Sequence, residues 1–246
     1  MTKKHSSQTE WFVNLDDNLW LKPDDSGQEE ADFIKRALRL RKGQSVLDAP
    51  CGAARVTVHL AEAGCLVTGI DLREPLIRRA RKRFRKKGLC GSFKAMDLRK
   101  LDSCAEFHAA FNWSGSFGYF SDTENLDVLK RLARALRPGG RLLIDQPNRE
   151  HILRHFRRTD QRGNVKLATR WCPETQRVET TWTLPSRGRL RSCTSSIRLY
   201  ALGQFQKLLA QAGLHLDAVY GDLDGSKYRR GSRRMHLVAR KIRRGS

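Results

Sequence analysis

Two aspartates close short apolar runs in this 246-residue chain: Asp48 ends Ser45-Val-Leu-Asp48, and Asp71 ends Leu66-Val-Thr-Gly-Ile-Asp71. Between them lies Ala49-Pro-Cys-Gly-Ala-Ala-Arg55, which reads as a tight loop and the start of a helix. An acid at a strand end, roughly 20 residues past such a loop, suits a carboxylate that grips ribose hydroxyls. Asp48 can pair with a cationic group. Gly52 lets the backbone approach a ligand closely, and the helix start offers free N–H groups to an anion. A dinucleotide needs Gly-x-Gly-x-x-Gly in this place. Here Pro50 and Ala54 flank a single glycine, so a smaller zwitterion with both an ammonium and a carboxylate fits better. The expected ligand is therefore an adenosine-containing cofactor.

Other elements must hold these groups. Ala31, Ile34, Ala37 and Leu38 share a helical face between about Gln28 and Leu40, and Gly43 ends that helix. Arg55–Ala63 reads as helix, and Leu66–Asp71 as the second strand. Pro75 suits the first turn of a helix whose buried stripe is Leu76, Ile77, Ala80 and Phe84. Phe93–Asp97, His108–Trp113 and Arg141–Asp145 read as further strands. Leu126, Leu129, Leu132 and Leu136 form a helix stripe, which Pro138-Gly-Gly140 breaks. Such alternation predicts an α/β, Rossmann-like, doubly wound fold with a mostly parallel seven-stranded sheet. After about Asn164 the pattern changes to β-rich runs, Lys166–Trp171, Arg177–Leu184 and Arg189–Leu199, which predict a small antiparallel β insertion. Helix returns at Ala201–Ala212, and His215–Tyr220 and Met235–Arg240 are the last strands. The expected division is a polar leader over 1–27, a cofactor-binding core over 28–148, and an insertion or lid over 149–200. The rest of the domain covers 201–241, with a basic tail over 242–246.

The formal net charge is +22. The excess is concentrated in residues 71–100, with 12 Lys and Arg against 3 Asp and Glu, and in residues 149–246, with 22 against 7. Such a field attracts polyanions or anionic surfaces. Cysteines 51, 65, 90, 104, 172 and 193 form no Cys-x-x-Cys pair and no zinc spacing, so free thiols and a cytoplasmic location are expected. No apolar run is long enough for a membrane span, and no signal peptide is read at the start. Cys51 reads as a small apolar filler and not as a nucleophile.

Val46-Leu-Asp-Ala-Pro-Cys-Gly-Ala-Ala-Arg55 resembles the first motif of the class I S-adenosylmethionine-dependent methyltransferases. Gly69-Ile-Asp-Leu72 resembles the second, Ala95-Met-Asp-Leu98 the third, and Leu136-Arg-Pro-Gly-Gly-Arg-Leu-Leu-Ile-Asp145 a later one. Asn112-Trp-Ser-Gly-Ser-Phe-Gly-Tyr-Phe120 and Tyr220-Gly-Asp-Leu-Asp-Gly-Ser226 are similar to a bacterial branch with an antiparallel insertion after the fifth strand. The resemblance spans roughly residues 28–241 and implies S-adenosyl-L-methionine as cofactor. It implies that Asp48 and the backbone of Ala49, Pro50, Cys51 and Gly52 hold the methionine end. It places Asp71 on the ribose, Leu72 beside the adenine, and Asp97 on the adenine amino group between Met96 and Leu98. It also implies that Asn112 and Trp113 close the site near the sulfonium. Ala54 stands where the family usually has glycine. Such a reaction needs alignment and exclusion of water more than an obligate base. Where a base is used, the candidates are Tyr119, His151, His155, Tyr200 and Asp222. Three functions follow. The preferred one is methylation of a small-molecule acceptor under a lid. The second is an RNA methyltransferase whose basic insertion and tail track phosphates, with Trp171, Trp182 and Tyr228 stacking bases. The third is a scaffold that binds the cofactor without turnover. No metal is expected.

Overall fold

The computed structural model describes residues 27–186 and 189–242. The first and last positions, 1–26 and 243–246, and with them nearly all of the expected leader and tail, lie outside the described residues. The chain opens with α1 (Gln28–Leu38), β1 (Ser45–Asp48), α2 (Thr57–Glu62), β2 (Leu66–Asp71), α3 (Glu74–Lys86) and β3 (Ser92–Ala95). A 3-10 turn follows at Leu98–Lys100, then β4 (Phe107–Asn112), α4 (Asp122–Ala135) and β5 (Leu136–Pro147). The insertion comprises α5 (Arg149–Arg154), β6 (Thr159–Arg162), β7 (Val165–Cys172), β8 (Arg177–Ser186) and β9 (Arg189–Arg198). The chain then returns to the main body as α6 (Leu202–Gln211), β10 (Leu214–Tyr220) and β11 (Arg234–Lys241).

Seven strands form one sheet in the order β10-β11-β5-β4-β1-β2-β3. Neighbours from β3 to β5 are parallel, while β11 is antiparallel to both β5 and β10. The strand order reverses at β1, which pairs with β2 on one side and β4 on the other. In such sheets ligands bind outside the carboxyl ends of the strands at the reversal. Register places Asp48 beside Gly69 of β2 and Phe111 of β4, so the ends that carry the first acid and the loop after it converge there.

Each face of the sheet is covered by helices whose apolar stripes the sequence marks. Ile34 and Leu38 of α1, Val58 and Leu60 of α2, and Ile77, Ala80 and Phe84 of α3 share one core with Val46, Val67 and Phe111. Leu129 and Leu132 of α4 and Phe205 and Leu209 of α6 share the other with Leu47, Ala110, Leu142 and Ile144. Burying each such side chain stabilises the fold by about 1.5–3 kcal/mol. Helix α4 begins with a capping box: the Ser121 hydroxyl accepts from the Glu124 N–H, and Glu124 accepts from the Ser121 N–H.

Several expected boundaries move. β5 runs through Pro138-Gly-Gly140 and starts at Leu136, because the stretch keeps pairing with β4 across a register shift between Phe107 and Ala109. β3 stops at Ala95, so Asp97 lies beyond the strand and caps the 3-10 turn. The second sheet has four strands, β6-β7-β8-β9, where three runs were expected. β6, Thr-Asp-Gln-Arg, carries no apolar alternation and is held by pairing with β7.

Candidate cofactor site at the strand reversal

Asp71 organises the first loop. Its Oδ2 accepts the Gly52 N–H at 2.9 Å, and its Oδ1 accepts the Arg73 N–H at 2.9 Å. The carboxylate therefore ties the end of β2 to the loop after β1. Gly52 has φ +53°, in the left-handed region, and a Cβ there would meet open space. Glycine is favoured here for conformation and leaves room above the loop. The Cys51 N–H donates to the Ile70 carbonyl at 2.8 Å, and the Ala49 N–H donates to Phe111 at 3.0 Å. The loop is thus pinned to both strands that flank β1.

Ala54 has φ +57° and is fully buried. A left-handed alanine costs roughly 1–2 kcal/mol, which is the physical reason that glycine suits this position. Its N–H donates to the Cys51 carbonyl at 2.9 Å, closing the turn. The Arg83 guanidinium of α3 donates to the Ala53 carbonyl at 2.7 Å and supports the same turn from outside.

Asp48 is buried, and its Oδ2 accepts from the Thr57 hydroxyl of α2, while Oδ1 has no partner. Burial pushes its carboxyl well above the ordinary value; the nearby Asp71 charge adds to this, and Thr57 and Arg55 oppose it. Asn112, also buried, donates through Nδ2 to the Ala49 carbonyl at 2.7 Å, which leaves its Oδ1 without a partner. Buried polar atoms are nearly always satisfied. Two unsatisfied acceptors at the adjacent ends of β1 and β4 fit a ligand that brings hydrogen-bond donors. Cys51 is pushed up by burial and by Asp48 and Asp71, so it stays a thiol.

The expected adenine side is arranged differently. The Met96 N–H donates to the Asp71 carbonyl at 2.8 Å, and Met96 and Leu98 are half-buried against the core, with Leu72 exposed. The Asp97 carboxylate accepts from the Arg99 N–H at 2.9 Å and from its guanidinium at 2.7 Å. Partial burial opposes its charge, but the Arg99 hydrogen bonds prevail and hold it below the usual value. Arg99 also pairs with Glu124 at 2.8 Å and lies over the Phe120 ring.

Trp113 is buried, not open. Its ring stacks on His236 at 5.2 Å, and its indole N–H donates to Glu30 of α1 at 3.2 Å. Glu30 in turn holds the Arg55 guanidinium through both oxygens. His236 lies 3.2 Å from the buried Asp145 carboxylate, which also pairs with Arg234 at 2.5 Å. Neither Glu30 nor His236 was expected at the site. Glu30 carries no motif, and His236 hides in the apolar run of β11.

The expected bases are scattered. The Tyr200 hydroxyl donates to Asp122 at 2.6 Å and accepts from Asn125 at 3.0 Å; burial, then Asp122, push its phenol up. Burial pushes the Tyr119 phenol up to about 12. His151 is half-buried, with Nδ1 unpartnered, and stacks on the exposed His155 at 4.1 Å. Asp222 is exposed and accepts from the Leu223 N–H at 2.8 Å, capping a turn after β10. Among the described residues no hydrogen bond joins His151 or Asp222 to the Asp48–Asp71–Asn112 group. Trp171, Trp182 and Tyr228 are half-buried. The Trp182 indole donates to Ser195, and the Tyr228 hydroxyl donates to Asn148. No group of metal-ligating side chains occurs among the described residues, and no described helix is long and apolar enough to cross a membrane.

Known proteins resemble this chain in sequence and in fold. A family model described as a methyltransferase domain matches residues 46–140. The S-adenosyl-L-methionine-dependent Diels-Alderase iccD of Talaromyces variabilis is 30% identical over 141 residues, 54% of this chain and 47% of that protein. The glycine/sarcosine N-methyltransferase of Halorhodospira halochloris is 31% identical over 149 residues, 58% and 54% of the two chains. The chain spans about half the length of these curated relatives. The solved structure of the CcbJ methyltransferase from Streptomyces caelestis superposes with a TM-score of 0.74 at 19% identity, over 90% of this chain and 93% of the other. The likeness extends over both the parallel sheet and the segment that bears the antiparallel insertion.

Proposed function

We propose that this chain, which has the class I S-adenosylmethionine-dependent methyltransferase fold with an antiparallel insertion after the main sheet, transfers a methyl group to a small-molecule acceptor. S-adenosyl-L-methionine, when bound, supplies a methyl group activated on a sulfonium. The observation that carries the reading is the pair of buried unpartnered oxygens, Asp48 Oδ1 and Asn112 Oδ1, at the strand reversal. Asp48 is the residue to take the ammonium, and the Pro50–Gly52 backbone is set for the rest of the methionine end. Asp71, whose carboxylate accepts the Gly52 and Arg73 N–H groups at the end of β2, is the residue to take the ribose hydroxyls. Leu72, Met96 and Leu98 supply an apolar setting for the adenine, and Asp97 shares its carboxylate between Arg99 and the adenine amino group. The chain's main contribution to rate is alignment of the acceptor and exclusion of water. Tyr119 is neutral at physiological pH, so it can donate or orient before it can act as a base.

The small-molecule lean is supported by the named relative that methylates glycine and sarcosine. One observation favours a second reading: the Diels-Alderase relative depends on S-adenosyl-L-methionine yet is not named a methyltransferase. Incubation with methyl-labelled S-adenosylmethionine and a fractionated cell extract tests these readings. Label in the small-molecule fraction supports the proposal. Label that ribonuclease removes from the RNA fraction overturns the lean, and tight cofactor binding with no transfer to any fraction favours the second reading.

A further inference from the structure

The root of the insertion gathers three guanidinium groups, two of which meet at one amide oxygen. Gln176 Oε1 accepts from Arg198 at 2.7 Å, from Arg149 at 3.0 Å and from the Gln204 amide at 3.0 Å. Arg177, next in sequence, donates to the carbonyls of Gly118, Tyr119 and Phe120 at 3.1–3.2 Å and to Ser196 at 2.8–2.9 Å. These carbonyls belong to the loop that leaves β4 just after Asn112 and Trp113. Gly118 has φ +97°, and a Cβ there would lie 2.5 Å from the Arg198 carbonyl, so the insertion presses directly on that loop.

The charges at this root do not balance. Asp122 pairs with Arg198 at 3.2 Å. Among the described residues, neither Arg149 nor Arg177 forms an ion pair with a carboxylate, although Asp122 and Glu179 favour the charged form of Arg177 from further away. The neighbouring phenols do not compensate, because burial holds Tyr119 and Tyr200 neutral. Arg198 is only 8% exposed, and burial pushes Arg177 below the usual guanidinium value. Burying guanidinium groups without counter-ions is expensive. A neutral amide oxygen occupies the point on which two of them converge. Asp122 is 61% exposed at its side chain, so the cluster opens to solvent. Planar guanidinium groups in this arrangement match a carboxylate or phosphate.

We propose that Arg149 and Arg198, with Arg177 adding charge from the carbonyls it holds, form an anion subsite on the acceptor side of the methyl-transfer site, taking a carboxylate or phosphate group of the acceptor. The proposal rests on the methyltransferase reading for the word acceptor, but not for the binding itself. It narrows the substrate class to acidic small molecules and uses part of the large positive charge for recognition.

The test titrates inorganic phosphate and, separately, acetate into the full chain by calorimetry at ionic strength fixed with chloride. S-adenosylmethionine is titrated in a parallel run. Saturable binding of either probe is expected. Arg149→Gln should weaken it about tenfold, and Arg149→Lys, which keeps the charge, about threefold or less. Both variants should bind S-adenosylmethionine like the parent, which also shows that they fold. Phosphate binding alone would assign phosphate esters as acceptors, and acetate binding would assign carboxylic acids. Binding that never saturates, or that Arg149→Gln leaves unchanged in a folded protein, overturns the subsite. Loss of S-adenosylmethionine binding with anion binding intact would instead overturn the functional reading.

Discussion

The carboxyl edge of the sheet holds charge of opposite sign in two neighbouring regions. At β1 and β2 two buried aspartates face each other across one loop, and one of them, Asp48, has a hydroxyl as its main partner. At the root of the insertion three arginines gather, and one of them, Arg198, pairs with an aspartate, Asp122. Asp71 shows how an acid becomes structural: both oxygens take backbone N–H groups. Arg177 shows the same for a cation, with its donors spread over carbonyls. Asp48 and Arg149 lack that completion. The contrast teaches that Asp48 and Arg149 lack the partners that complete Asp71 and Arg177, and the proposed cofactor and acceptor would supply them.

Substitutions can break this comparison, and the largest effect is expected at Asp71. Asp71→Ala removes the anchor of the Gly52 loop and the proposed acceptor for ribose, and should weaken cofactor binding by about 100-fold or more, measured by calorimetry. Arg177→Met should unstitch the insertion from the Gly118–Phe120 loop, lowering stability by about 2–3 kcal/mol in chemical denaturation. The cofactor affinity of the remaining folded protein should change little. Asp48→Asn should weaken cofactor binding about tenfold.

Asp48 also predicts a pH dependence. Burial raises its pKa, so the free protein carries it neutral to a higher pH than an ordinary carboxylate. An ammonium ligand needs it ionised, so cofactor affinity should rise with pH through that raised value, and the rise should vanish in Asp48→Asn. Stability runs the other way. It is fully present below the unfolded value and falls as pH climbs through the folded one, and Asp48→Asn should remove that part of the fall. The smallest effect is at Ala54. Ala54→Gly relieves the left-handed alanine but loosens the unfolded chain, for a net gain of about 0.5 kcal/mol, seen as a small rise in Tm with affinity equal or slightly tighter.

Much of the first region was legible in the sequence because it is local. Short apolar runs ending in Asp48 and Asp71, with Gly52 between them, report strand, turn and acid within about 25 residues, and Pro75 and Gly88 bracket α3. Asp97 was read as the end of a strand, since Ala95-Met-Asp97 continues the apolar run; pairing with β2 stops at Ala95, and Arg99 turns the chain instead. The second region was not legible. Arg149, Gln176, Arg177 and Arg198 come from separate elements and meet only through tertiary packing, and in a chain with so many arginines none stands out. Trp113 and His236 likewise meet across 123 positions of sequence through β4 and β11, neither of which carries a pattern that reveals its partner.

The most direct test of the account is a calorimetric titration of S-adenosylmethionine into the parent chain and into Asp71→Ala at neutral pH. The account predicts saturable one-to-one binding by the parent and a loss of about 100-fold or more in the variant. No binding by the parent, or equal binding by the two, would contradict it.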